Sequence, residues 1–117
     1  MKTAVLMRSG VPLIETVEMA VDLKSRIIGL LGRSSLGANR AMYLAPCNSI
    51  HTFFMKFSLD VVFLDPEMNI LKKVINVRPC RVVLGGLGAH GVLEFESGCF
   101  CVDDLNIGDK LILKNIA

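Results

Sequence analysis

Apolar residues in this chain come in short runs, and glycine, proline or a polar cluster interrupts almost every one. A globular helix needs roughly 10–12 residues of 3.6-residue patterning, so runs of about four to eight bounded by turn residues point to strands. Leu59-Asp60-Val61-Val62-Phe63-Leu64 is such a run. Asp65-Pro66-Glu67-Met68-Asn69 supplies turn chemistry, and residues 70–77 are predicted to pair back. Apolar residues at successive positions in both runs predict strands covered on two faces. Residues 2–7 and 11–17 flank Arg8-Ser9-Gly10 and predict a hairpin in which Pro12 pushes its strand toward a sheet edge. Residues 41–45, stopped by Pro46, add another strand.

Residues 82–93 carry no charge but have glycines at 85, 86, 88 and 91. That pattern predicts a strand, an apolar glycine loop and a second strand over 92–96. Residues 99–105 predict a helical turn or loop, and residues 110–114 a half-buried last strand. The one helical pattern follows Asp22, a capping residue. Leu23, Ile27, Leu30 and Leu31 recur at helical spacing, and Gly32 stands where a left-handed cap ends a helix. About seven or eight short strands and one inserted helix, without βα alternation, predict a mainly β fold (α+β at the margin). A small curled sheet or partly closed β-barrel fits best. At 117 residues the chain makes a single domain, 1–117.

Composition narrows the function classes. Thirteen basic and eleven acidic residues leave a net charge of +2. The nearest basic cluster, Lys72, Lys73, Arg78 and Arg81, is interleaved with apolar residues and lacks aromatic neighbours. A nucleic-acid surface asks for a denser basic stripe, so no nucleic-acid partner is expected. The longest uncharged run, residues 41–55, contains Asn48, Ser49, His51 and Thr52 and falls short of the roughly 20 apolar residues of a membrane helix. Arg8 ends the first apolar run before it reaches the roughly seven residues a secretory signal needs. A cytoplasmic protein without a membrane partner is therefore expected, with Cys47, Cys80, Cys99 and Cys101 as thiols.

Chemistry concentrates in Pro46-Cys47-Asn48-Ser49-Ile50-His51-Thr52. Were this stretch helical, Cys47 and His51 would face one side and could form a thiolate–imidazole pair. The cysteine and histidine spacings match no zinc knuckle or ribbon, so neither a metal nor a cofactor is expected. Asp60 interrupts an apolar run, where a charge is costly unless it is paired or turned outward. Glu94, between Leu93 and Phe95, poses the same question. Candidate ligand contacts are His51, Thr52, Met55, Asp60 and Glu94, on a module that binds a small ligand or a protein partner. The surface expected for it joins the 47–55 loop and the glycine loop. The alternative is a small hydrolase or metal-assisted enzyme using Cys47 and His51 with Asp60 and Glu94, which requires the four to converge. The glycine loop lacks the Walker lysine and the Rossmann spacing, so its glycines are read as structural.

Gly29-Leu30-Leu31-Gly32-Arg33, Phe54-Met55-Lys56, residues 59–65, Leu93-Glu94-Phe95, Gly98 and Gly108-Asp109-Lys110-Leu111 stand in an order that resembles domain-of-unknown-function family 192, also called uncharacterised protein family 0127. The likeness covers roughly residues 15–114. It implies a compact β-rich fold of a bacterial family, many of whose members carry export signals, and no established activity. The family commonly has Trp-Met-Lys-Asn-Thr where this chain has Phe54-Met55-Lys56-Phe57-Ser58.

Overall fold

The computed structural model describes residues 2–115. Among the described residues, nine strands, one short α-helix and one 3-10 turn follow in the order β1 (Thr3–Arg8), β2 (Val11–Ala20), α1 (Leu23–Ile28), β3 (Arg40–Leu44), β4 (Ser49–His51), β5 (Leu59–Leu64), β6 (Ile70–Val77), β7 (Val82–Leu84), β8 (Gly91–Glu96), the 3-10 turn (Val102–Asp104) and β9 (Ile112–Asn115). Seven strands form one mixed sheet in the order β6-β5-β8-β3-β2-β1-β9, while β4 and β7 pair separately. The fold is mainly β, as expected, with β4 the strand the sequence concealed. The sheet is not closed into a barrel: β6 and β9 are its two edges. An isolated bridge between Asn69 and Lys110 brings together the segments that lead into them.

Neighbouring strands run antiparallel except β2 and β3, which pair in parallel. Parallel neighbours need a crossover of a dozen or more residues, and the segment carrying α1 supplies it. Pro12 is tolerated in β2 because β3 pairs only with Thr16 through Ala20, leaving the proline end as an edge.

The helix is shorter than its apolar spacing predicts. Gly29 takes φ 49°, ψ −127° and ends it, with its N–H on the Ser25 carbonyl. Leu23 and Ile27 are therefore exposed, and only Leu30, beyond the helix, is buried. Asp22 does cap the first turn, accepting from the Ser25 N–H at 2.7 Å. The expected two-sided cover holds for β5, all six residues of which are buried, but not for β6, an edge strand that exposes Lys72, Ile75 and Asn76.

Both faces of the central strands are packed. One face gathers Val62, Leu64, Leu93 and Phe95 with Leu6, Val17, Ala41 and Leu111. The other gathers Val61, Phe63, Val92, Met42 and Leu44 under Leu30, Leu36, Ile50 and Met55. This second face is the one covered by the crossover segment and by β4. The glycine loop owes two of its glycines to packing. A Cβ on Gly85 would lie 2.9 Å from the Asn48 carbonyl oxygen, and one on Gly91 would overlap the Tyr43 ring.

Candidate functional site

Pairing register decides which polar side chains can meet. Asp60 lies opposite Phe95, whereas Glu94 lies opposite Val61 on one side and Met42 on the other. Because side chains alternate along a strand, Asp60 and Glu94 point to opposite faces of the sheet. The four residues of the enzyme reading do not converge.

Asp60 is held as part of the framework. Between Leu59 and Val61, β6 carries one extra residue in its ladder, and Asn76 sits at φ 54°. This bulge frees the Asn76 N–H, which donates to Asp60 Oδ1 at 2.8 Å. The Ser97 hydroxyl at 3.0 Å and the Gly98 N–H at 3.3 Å complete its partners. Thr52, fully buried, plays a similar structural part. Its hydroxyl donates to the Arg78 carbonyl at 2.6 Å and accepts from the Arg81 N–H at 2.9 Å. These bonds tie the 47–55 segment to the β6–β7 connection.

Glu94 has a different setting. It is 5 % exposed, and the only influence displacing its pKa is burial, which pushes it from the ordinary 4.5 up to about 7. In front of it lies a cavity of about 100 Å³ shared with Cys47, His51 and Met55. Leu44 and Ile50 give apolar wall, the Gly29 to Leu31 turn closes one side, and the exposed Ile27, Ile28 and His51 stand at its rim. Arg26 also borders it, but its guanidinium is turned onto the Pro46 carbonyl at 2.9 Å and the Asp22 carbonyl at 3.4 Å.

Cys47 and His51 are not helical neighbours: residues 49–51 form β4, paired with β7. The cavity, not an i, i+4 spacing, brings them near one another. Burial pushes the Cys47 thiol up, with the nearby Glu94 charge adding to it, against the hydrogen bond that the thiol makes to the Ser49 carbonyl at 3.0 Å. A thiol so held is a weak nucleophile at neutral pH. The His51 ring stacks on Phe53 with centroids 5.3 Å apart. Among the described residues no three of His, Cys, Asp and Glu gather closely enough to hold a metal ion.

Sequence reasoning passed over another buried carboxylate. Glu18, Met42, Glu94 and Val61 form one cross-strand row through β2, β3, β8 and β5, so Glu18 and Glu94 share a face, about 10 Å apart at two strand spacings. Glu18 is matched: Arg33 grips both its oxygens at 2.6 and 2.8 Å, and Arg40 approaches to 3.6 Å. The paired Arg33 hydrogen bonds hold its carboxyl below the usual range although burial opposes them. In the Gly29-Leu30-Leu31-Gly32-Arg33 segment, then, Gly29 ends the helix, Leu30 fills the core and Arg33 neutralises Glu18.

Two apolar side chains of the 47–55 segment stand on the surface: Phe53, and Phe54 at 86 % exposed with φ 64°. Leu87 at the tip of the glycine loop is fully exposed. Of the basic cluster, Lys72 and Lys73 direct their ammonium groups onto the Leu84 and Leu105 carbonyls, which disperses it. No helix is long and apolar enough to cross a membrane, among the described residues.

The architecture recurs in solved structures. A protein of unknown function from Novosphingobium aromaticivorans superposes with a TM-score of 0.79 at 18 % identity, over 94 % of this chain and 83 % of that one. A Sinorhizobium meliloti protein, described provisionally as a transcription regulator, gives 0.78 at 22 % identity, over 96 % and 92 %. At these identities the likeness is one of fold. In sequence, the UPF0127 protein of Pyrococcus abyssi is 31 % identical over 100 residues, covering 81 % of this chain and 83 % of the relative. The family DUF192, described as "Uncharacterized ACR", matches residues 5–113. This chain belongs to that family of uncharacterised proteins.

Proposed function

We propose that this domain is a binding module and that its site is the cavity over Glu94. The observation that carries the reading is the contrast between a residue only 5 % exposed, whose carboxyl receives no hydrogen bond from the described residues, and the cavity onto which that carboxyl opens. Burial makes the ionised form of such a carboxyl costly, and a ligand that matches it recovers part of that cost on binding. The cavity is smaller than the engineered hole of about 150 Å³ that accepts benzene, which suits a ligand, or the tip of a partner's side chain, of a few heavy atoms. Cys47, His51, Met55 and Glu94 are its polar and polarisable contacts. Asp60 and Thr52 act on the framework around it. The exposed Ile27 and Ile28 give its mouth an apolar rim.

Methyl-resolved NMR with three-carbon probes (1-propanol, propylammonium and propionate) tests this. Saturable shifts confined to Leu44, Ile50 and Met55 are expected for at least one probe. Shifts scattered over the surface, or none at the cavity with any of the three, overturn the reading.

A further inference from the structure

Glu94 lines its cavity, and among the described residues the charged side chains near it are directed onto other partners. Arg26, on α1, is directed onto the Asp22 and Pro46 carbonyls. The Cys47 thiol donates to the Ser49 carbonyl, and His51, on β4, stacks on Phe53. Glu18, two strands along the same face, is taken by Arg33 and Arg40. From β5 the facing residue is the apolar Val61, and from β3 it is Met42. A molecule entering the cavity therefore meets one carboxylate acceptor among largely apolar lining residues.

That arrangement selects among ligands. An alkaline-earth ion asks for about six or more oxygen donors, which one carboxyl does not supply. A carboxylate ligand places like charge beside Glu94. A neutral alcohol satisfies one oxygen and leaves the charge uncompensated. An ammonium group brings both a positive charge and three N–H donors, and a short alkyl stem matches Leu44, Ile50 and Met55 along the wall.

We infer that the ligand class of this site is a small primary alkylammonium ion, its head on the Glu94 carboxylate and its stem against Leu44, Ile50 and Met55. The inference rests on the cavity being the binding site. The ionised carboxylate is the binding form, and burial has moved its titration to about 7. Affinity for an ammonium is accordingly greatest above that value and falls as the pH drops below it.

The three-carbon series decides the class. At about pH 8, propylammonium should bind about tenfold or more tighter than 1-propanol, with propionate weakest, as expected for a charge-assisted hydrogen bond in a partly dry site. The preference for propylammonium should fade between about pH 7 and 5. Glu94→Gln, isosteric and uncharged, should remove both the ammonium preference and its pH dependence. Equal affinities for propylammonium and 1-propanol at pH 8 would overturn the inference, as would a preference for propionate or a pH profile that survives in Glu94→Gln. In those cases the cavity still binds a probe, and only the ligand class is wrong. If no probe reaches the cavity methyls, the binding reading itself falls.

Discussion

Asp60 and Glu94 sit on adjacent strands of one sheet, both buried and both within apolar runs, yet their surroundings have opposite characters. Asp60 meets three donors, one released by a bulge in the neighbouring strand and two from the turn after β8. Glu94 meets none among the described residues and lines a cavity. The first carboxylate fastens two elements together. The second receives no hydrogen bond from the described residues and opens onto a cavity. Glu18 lies between the extremes: on the Glu94 face, but matched by Arg33. A buried acid in this fold is thus structural or available according to what the segment covering it contributes.

The comparison can be broken most forcefully at Asp60. Asp60→Ala strands the Asn76 and Gly98 N–H groups and the Ser97 hydroxyl, and should destabilise the domain by about 3–5 kcal/mol in urea unfolding. A loss under about 1 kcal/mol would mean that its hydrogen bonds are not what holds the β6 bulge and the turn after β8.

Glu94 should respond in the opposite sense. Its folded pKa lies above the unfolded value, so the folded state binds the extra proton between them. Stability is therefore undiminished by this group below about 4.5, declines as pH rises, and has lost its full share above about 7. The interval corresponds to a penalty on the order of 3 kcal/mol. Glu94→Gln should recover most of it at about pH 8 and almost none at about pH 4, read from unfolding midpoints across pH. A variant destabilised at both pH values would show Glu94 to be a framework residue like Asp60.

The smallest effect is expected at the intermediate case. Arg33→Ala leaves Glu18 without its two-pronged partner, but Arg40 remains and Arg33 is partly solvated. A loss of about 1–2 kcal/mol is expected, with the Glu18 titration moving upward in carboxyl-detected NMR. If Glu18 instead kept a depressed titration, Arg40 rather than Arg33 would be its main partner.

Much of the strand framework was legible because it rests on local chemistry. The β5–β6 hairpin follows from two β-forming runs around Asp65, whose carboxylate accepts the Glu67 and Asn69 N–H groups in the turn. The strand, glycine loop and strand over residues 82–96 read directly from glycine placement, and the cap at Asp22 from one residue type. The helix was overread, since apolar spacing through Leu30 and Leu31 does not reveal that Gly29 turns to positive φ before them. The strand β4 was missed because three residues beside a histidine and a serine carry no recognisable period, and only pairing with β7 makes them a strand.

The candidate site divides in the same way. Its residue types were visible: Cys47, His51, Met55 and Glu94 stood out as chemistry within apolar sequence. Their grouping was not, and neither were Arg26, Glu18 or the Gly29 to Leu31 wall. The sequence by itself determined a mainly β domain, the short runs that become its strands, and the two acids that must be explained. Tertiary structure alone decided that Asp60 and Glu94 face away from each other. The physical reason is register: side chains alternate with a period of two, so sliding a strand by one residue exchanges the faces. Which register is taken depends on pairing between strands distant in the chain.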